Sequence, residues 1–398
     1  MNILAKRLDR IKLSPTLQIM AQAQKAKAEG KDMLILAAGE LDFDTPDFIK
    51  QAAGQAMEQG LTRYTAVDGL PAFKKAIQDK FLRDNKLNFA LDEIMVSAGA
   101  KQVLFNAMLA TIEQNDEVII PAPYWPSYTD VVLLFNGIPI IVHTEERFKF
   151  KMTPDQLRCA ITDKTKWVFL NSPGNPSGAV YSKAELAALA VVLREFPHVY
   201  VLTDDIYEHI TFNIPFYTIL NAAPDLKERT LILNGLSKAF SMTGWRLGYG
   251  AGPKQLIKAM TKVQSQSTTN ANSIAQGAGV IALNSNLSFL DTWKKELLNR
   301  RDVLVTGINN IEGLSCNSPD GAFYLYINCA DLLGKVTPNG QVLQNDHEIC
   351  AYFLDYGVAV VPGSAFGLSP YFRVSFAASM TDLEKAVVRL GKAVTALM

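Results

Sequence analysis

A lysine and an arginine in one glycine-rich stretch are the residues best suited to chemistry. Lys238 lies among small residues, and Arg246 follows eight positions later between Gly244 and Gly248, at the start of a predicted strand. A lysine amine forms a Schiff base with an aldehyde, and a guanidinium group holds phosphate through paired hydrogen bonds. Together they could bind pyridoxal phosphate at both ends. Two unrelated solvated charges could have the same spacing, so the pair alone does not establish a cofactor site.

Two more segments could contact such a ligand. Ser97–Lys101 joins a predicted strand to a helix, so its free backbone N–H groups and the helix dipole would favour an anion. Asp204 ends a predicted buried strand, where an unpaired carboxylate is costly. A plain strand–helix turn, and a helix N-cap or structural salt bridge at Asp204, are the simpler interpretations of these two features.

The elements that would position these residues alternate between strand and helix from Glu93 to Gly252. Short apolar runs separated by helical or loop segments predict strands buried on both faces, and therefore a mostly parallel sheet flanked by helices. Ligands bind beyond the carboxyl ends of such strands, where Gly99, Asn175, Asp204 and Lys238 fall. The runs are 94–97, 117–120, 139–142, 167–170, 200–203, 230–233 and 246–249.

The C-terminal part of the chain predicts a smaller α+β unit, with strands at 323–327, 358–361 and 372–375 and a final helix from Thr381. The N-terminal segment is expected to pack against it. This predicts a large domain of residues 46–287 and a discontinuous small domain of residues 1–45 plus 288–398. Thr45 and Pro46 are the expected N-cap and first residue of a helix.

Composition excludes few functions but argues against several. The chain has 398 residues, and its 39 basic and 39 acidic residues give no net field that would favour nucleic acid or an anionic membrane. No run approaches the roughly 18 apolar residues that a membrane span needs. Four widely spaced cysteines without paired histidines predict no metal site and suit reduced thiols in the cytoplasm.

Five segments resemble the class I aminotransferases of fold type I, most closely the bacterial aspartate aminotransferases, in order and spacing. They are Leu36–Pro46, Ser172–Gly178, Thr203–Tyr207, Gly235–Gly248 and Phe372–Phe376. The departures are small: Leu41 stands for a usual proline, Gly174 and Ser177 for Asn and Thr, and Asp205 for Glu.

The resemblance implies pyridoxal 5'-phosphate as cofactor and assigns its contacts. Lys238 would form the Schiff base, Asp204 would pair with the pyridine nitrogen, and Tyr207 with Asn175 would hydrogen-bond the phenolic oxygen. Trp125 would stack on the ring. The phosphate would be held by Gly99, Ala100, Lys101 and Arg246, together with Tyr64 reaching across from a neighbouring subunit, which implies a homodimer with shared active sites.

The substrate contacts are implied in the same way. Arg373 would clamp the α-carboxylate with help from the Gly39 backbone, and Trp125 and Asn175 would also face the substrate. Ser14, Thr16 and Lys101 match positions that bind the second carboxylate of aspartate or glutamate. A surface salt bridge for Arg373 and a plain surface lysine for Lys101 are the simpler alternatives.

The implied reaction is a ping-pong transfer of the amino group of L-aspartate to 2-oxoglutarate, in which Lys238 moves the Cα proton. An aminotransferase for aromatic, prephenate-type or basic amino donors would share the same core, and a lyase could use the same fold. A transcription regulator would need a DNA-binding domain for which no segment is long enough. A nicotinamide-dependent dehydrogenase would rest only on Gly248-x-Gly250-x-Gly252, which lacks the full dinucleotide spacing.

Overall fold

The computed structural model describes residues 3–13 and 15–398. The strands are β1 Leu34–Ile35, β2 Ile94–Ser97, β3 Glu117–Ala122, β4 Ile138–His143, β5 Thr165–Asn171, β6 Tyr200–Asp204, β7 Thr230–Gly235, β8 Gly248–Ala251, β9 Tyr324–Asn328, β10 Val358–Ala359, β11 Val361–Pro362 and β12 Tyr371–Ser375. The α-helices are α1 Pro15–Ala28, α2 Asp47–Glu58, α3 Pro71–Lys80, α4 Ala100–Thr111, α5 Ser127–Leu134, α6 Pro154–Ala160, α7 Lys183–Glu195, α8 Ile219–Ala222, α9 Lys254–Ser265, α10 Ser273–Asn284, α11 Phe289–Asn309, α12 Asp346–Asp355 and α13 Met380–Thr395.

The central sheet has seven strands in the order β2-β8-β7-β6-β5-β3-β4. Strands β4, β3, β5, β6 and β7 are parallel to one another, whereas β8 pairs antiparallel with both β7 and β2. Helices cover both faces. The prediction of a mostly parallel sheet flanked by helices is confirmed.

Successive side chains of the central strands enter two different cores. In β5, Val168 and Leu170 face one core while Trp167 and Phe169 face the other. Both sets are buried because helices pack on each face, which explains why these strands are continuously apolar in sequence. The rigid sheet that results sets the positions of the loops at its carboxyl edge.

A smaller unit is built from the C-terminal part of the chain. Its antiparallel sheet has the order β11-β12-β9, and the N-terminal β1 pairs in parallel with β10 through Leu34 and Val358. Leu34 and Leu36 share a hydrophobic core with Leu304 of α11 and Leu390 of α13. The N-terminal segment therefore packs on the C-terminal unit, as expected.

Three local predictions were wrong. The expected strand 358–361 is divided into β10 and β11, which lie in different sheets. The other two concern single residues. Thr45 does not cap α2, whose N-cap residue is Pro46 without a side-chain hydrogen bond; the Thr45 hydroxyl instead donates to the Ser241 carbonyl at 2.6 Å. Arg246 is not in a strand, because its φ of +53° places it in a left-handed turn and β8 begins only at Gly248. Tertiary contacts outweigh local sequence preference at both positions.

Within residues 3–13 and 15–398, no helix combines the length and apolar character needed to cross a membrane. The same residues contain no group of three or more His, Cys, Asp or Glu side chains arranged to hold a metal ion.

Candidate active site

A cavity of about 470 Å³ opens where the carboxyl ends of the parallel strands face the smaller unit. It is lined from the central sheet by Asp204 and Lys238 and from the smaller unit by Arg373. Most of the residues predicted to act together are found here. Those in its wall are Thr16, Gly39, Ala100, Lys101, Trp125, Asn175, Asp204, Tyr207, Lys238, Arg246 and Arg373.

Three predicted residues stand apart from this wall. Gly99 lies beside it, since a Cβ atom there would be 2.5 Å from a terminal nitrogen of Arg246. Tyr64 is 88% exposed and does not line the cavity. Ser14 lies outside the described residues.

Lys238 is placed by the loop that follows β7, and its amine lies at the centre of the site. Its Nζ donates a hydrogen bond to the Gly39 carbonyl and lies 5.9 Å from the centre of the Tyr207 ring. Burial, with a smaller contribution from the charge of Arg373, lowers the pKa of Lys238 to about 8, while Glu40 and Asp204 oppose the shift. The shift gives the amine a larger neutral fraction near neutral pH, as a nucleophile or base needs.

Asp204 ends β6 and is buried. The Tyr128 hydroxyl donates to its Oδ2 at 2.7 Å, and the Ile206 N–H donates to its Oδ1 at 3.2 Å. Burial raises the pKa of Asp204 to about 6, and these two hydrogen bonds and the charge of Lys238 limit the rise. A buried carboxylate at this pKa is prepared for a cationic partner.

An anion cradle lies at the start of α4. Gly99 has φ +88° and is the N-cap of this helix, so the first N–H groups of α4 are free to face a ligand. Arg246 donates from Nη1 to the Thr243 carbonyl at 2.8 Å, and its guanidinium packs against Gly99. Gly248 in β8 allows the start of α4 to pack closely on this strand, because a Cβ atom at position 248 would lie 2.3 Å from the Ala100 nitrogen.

Lys101 and Trp125 form the side of the cavity next to this cradle. The Lys101 amine lies 4.7 Å from the centre of the Trp125 ring. Burial lowers the pKa of Lys101, as does Arg246, whereas Asp130 opposes the shift. Thr16 approaches from α1 and completes this wall.

Arg373 is buried on the opposite side, in the middle strand of the smaller sheet. Its two terminal nitrogens donate to Asn175 Oδ1 at 2.9 Å and to the Ala37 carbonyl at 2.7 Å. Its Nε is buried and has no hydrogen-bond partner. A buried cation with an unsatisfied donor at a cavity wall is suited to an anionic ligand.

Several residues of the site escaped the sequence analysis. The Tyr324 hydroxyl is 2.9 Å from that of Tyr207, and its ring lies 4.4 Å from the Arg373 guanidinium. Tyr128 bonds Asp204, and Asn171 donates from its side chain to the Asp204 carbonyl at 2.9 Å. No sequence pattern distinguished Tyr324 from the other residues of its predicted strand. Asn171 could have been found because it ends a strand next to the one that ends at Asp204.

The arrangement joins an amine, a buried carboxylate, an anion cradle and a buried arginine around one cavity. The family model for aminotransferases of class I and II matches residues 31–390. The chain belongs to this family. It is therefore an aminotransferase, and the predicted resemblance is confirmed.

Curated relatives match along almost the whole chain. An "Aspartate aminotransferase" of Rhizobium meliloti (strain 1021) is 52% identical over 391 residues, which cover 98% of this chain and 95% of that protein. A "Probable aspartate/prephenate aminotransferase" of Rickettsia conorii is 49% identical and is covered to 99%, as is this chain.

Solved structures agree with the fold. The aspartate aminotransferase of Rhizobium meliloti superposes with a TM-score of 0.97 at 51% identity, covering both chains completely. The Thermus thermophilus aspartate aminotransferase with maleate gives a TM-score of 0.93 at 38% identity, covering 99% of this chain and 100% of the other.

Proposed function

We propose that this aminotransferase uses pyridoxal 5'-phosphate to transfer the amino group of L-aspartate to 2-oxoglutarate in a ping-pong reaction. The observation that carries the proposal is the placement of Lys238, Asp204, Arg246 and Arg373 around one cavity. The names of the relatives support aspartate as the donor.

The residues present fit this cofactor. The free N–H groups of Ala100 and Lys101, which follow Gly99, suit its phosphate together with the Arg246 guanidinium, and Asp204 suits a protonated pyridine nitrogen. Tyr207 and Asn175 provide hydrogen-bonding groups for the phenolic oxygen, and Trp125 an aromatic face for the ring. When bound, the cofactor supplies an aldehyde that accepts the amino group and a ring that withdraws electrons from Cα.

Lys238 is the residue we assign to covalent attachment and to proton transfer. Its Nζ would take the proton from the substrate Cα once the amine is free, and would later deliver a proton to the carbon that receives the amino group. The pKa of about 8 supports both steps, because the amine can exchange a proton near neutral pH. The hydrogen bond from Nζ to the Gly39 carbonyl places the amine next to the smaller unit.

Asp204 would hold the proton on the ring nitrogen. Hydrogen bonds from Tyr128 and the Ile206 N–H favour its ionised form, so the carboxylate stays charged when a cation lies beside it. Because Asp204 is buried, little water screens this interaction.

Arg373 would bind the substrate α-carboxylate, with the Gly39 backbone at the same side of the cavity. Its Asn175 contact fixes the guanidinium, and each of its two terminal nitrogens keeps a second N–H group as a donor. Lys101 and Thr16 would bind the second carboxylate of a dicarboxylic substrate, with Ser14 as a further candidate outside the described residues. The Trp125 ring would also border the substrate.

An aminotransferase that also accepts prephenate-type donors is the second candidate. Relatives named "Probable aspartate/prephenate aminotransferase" are 47–49% identical to the chain, which favours it over the aromatic and basic donors. Leu17 and Met20 add apolar surface to the cavity wall beside Thr16, where a larger side chain would lie.

We also propose a homodimer with shared active sites in the cytoplasm. The exposed ring of Tyr64 supports a contact with the phosphate site of a second copy. Four free cysteines suit a reducing compartment, and the balanced charge favours neither nucleic acid nor a membrane surface. Within each subunit, residues 46–287 would form the large domain, and residues 1–45 plus 288–398 the small domain that closes on the substrate.

The test combines a spectrum with a donor–acceptor panel. Purified protein with pyridoxal phosphate should absorb at about 360–430 nm, and aspartate should bleach this band until 2-oxoglutarate restores it. Lys238→Ala should lose the protein-bound band and turnover, whereas Lys262→Ala, on the exposed face of α9, should keep both. Normal turnover and an unchanged band in Lys238→Ala would refute the assignment. Better turnover of prephenate than of oxaloacetate as acceptor would favour the second candidate.

A further inference from the structure

A buried polar cluster lies behind the cavity and consists of Glu208, Lys80, Asn85 and Asn234. Lys80 forms an ion pair with Glu208 Oε1 and donates to Asn85 Oδ1 at 2.8 Å. Glu208 also accepts from Asn234 Nδ2 at 2.7 Å and from Asn85 Nδ2 at 2.9 Å. Each of the four residues is at most 6% exposed. None of them lines the cavity.

The cluster joins the two segments that carry the proposed chemistry. Glu208 directly follows Tyr207 and lies in the turn that begins at Asp204. Asn234 lies in β7, four residues before Lys238, and its Oδ1 accepts from the Gly235 N–H at 2.7 Å. The hydrogen bond from Asn234 to Glu208 therefore links the turn after β6 to the end of β7 through side chains, in addition to the backbone bond from the Asp205 N–H to the Leu233 carbonyl at 2.9 Å.

The charge of Glu208 is retained although the residue is buried. Burial would raise its pKa, but Lys80, His209 and the Asn85 donor outweigh burial and lower the pKa below its usual range. A buried ion pair stabilises a fold little compared with apolar residues of the same volume. Its directional hydrogen bonds, however, fix the relative positions of the segments that carry them.

We propose that Glu208, neutralised by Lys80, is a positioning residue that holds Asp204 and Tyr207 in register with Lys238 through Asn234. This inference rests on the proposed function, in which those three residues share one cofactor. Because none of the cluster residues lines the cavity, we expect them to affect the alignment of Asp204, Tyr207 and Lys238 and not the contacts with the substrate.

The experiment uses holoenzyme with two variants that remove the link differently. Asn234→Ala removes the bridging side chain, and the double variant Lys80→Met/Glu208→Gln removes both charges without leaving one unpaired. Arg229→Met is the control, because Arg229 donates to the Leu193, Phe196 and Val199 carbonyls near the amino end of β7, away from the cavity. The measurements are the thermal midpoint, the pH midpoint of the visible cofactor band, the affinity of apoenzyme for pyridoxal phosphate, kcat and KM.

In both cluster variants we expect a shifted band midpoint and a kcat lower by roughly ten- to hundredfold, with KM for aspartate within about twofold of wild type. The control should lose thermal stability only. Unchanged kcat and band midpoint in Asn234→Ala, or equal shifts in the control, would overturn the inference. A wild-type protein without a cofactor band would refute the proposed function instead. If the double variant does not fold, Asn234→Ala alone decides.

Discussion

The hydrogen bond from Tyr128 to Asp204 provides a quantitative test of the site. Tyr128→Phe removes one hydroxyl and keeps the ring, which packs edge-on against Phe169 at 5.3 Å and Trp125 at 5.4 Å. The substitution removes the 2.7 Å hydrogen bond that the Tyr128 hydroxyl donates to the Asp204 carboxylate. Such bonds stabilise the charged form by about 1.5–3 kcal/mol, or roughly one to two pKa units.

The direction of the effect follows from the environment of Asp204. Burial raises its pKa to about 6 in the cofactor-free cavity, and the Tyr128 bond opposes the rise, so the variant should raise the pKa by roughly one to two further units. Activity that requires the ionised carboxylate should then fall on the acid side, with the acid limb displaced upward by roughly one to two pH units and wild-type activity approached at higher pH.

The assay is the pH dependence of kcat/KM for aspartate. Tyr181→Phe is the matched control: its buried hydroxyl also makes a 2.7 Å bond, accepting from the Met152 N–H, but the residue lies outside the cavity. The control should keep the wild-type profile even where it lowers thermal stability. If the profile of Tyr128→Phe superposes on that of wild type across the acid limb, Tyr128 does not control the charge of Asp204.

Three further variants test separate parts of the site. Lys101→Met should lower kcat/KM for aspartate by roughly ten- to hundredfold and for phenylalanine much less, because it removes only the cation for the second carboxylate; equal losses on both donors would contradict this role. Gly99→Ala should weaken pyridoxal phosphate binding at least about tenfold by equilibrium titration, because a Cβ there meets Arg246 at φ +88°. Gly60→Ala, at φ +76° in open space, is its control and should bind normally. Burial raises the pKa of Asp205 to about 7, so the folded apoprotein holds an extra proton and should lose up to roughly 4 kcal/mol of unfolding free energy as pH rises from about 4 to 7. Urea unfolding of Asp205→Asn should show a flatter pH dependence, and an unchanged slope would exclude Asp205 as its source.

Most of the predicted residues that line the cavity were identifiable from local features of the sequence. Local sequence features marked three segments: the stretch around Lys238 and Arg246, the Gly99 turn, and the strand end at Asp204. Each combines a functional group with a backbone pattern that is visible in a short stretch of sequence, so the fold is not needed to recognise it. Alternation of apolar runs was sufficient for the mostly parallel sheet, because strands buried on both faces leave little choice of residue type.

The tertiary structure alone revealed the partners of these residues. Tyr128 and Tyr324 reach Asp204 and Tyr207 across gaps of 76 and 117 residues, and no local pattern reports such contacts. The left-handed backbone at Arg246, whose guanidinium packs against Gly99 at the start of α4, was likewise not indicated by the local sequence. Local sequence can specify which groups are available, but their pKa values and orientations depend on burial and on hydrogen bonds between distant segments, which exist only after the chain has packed.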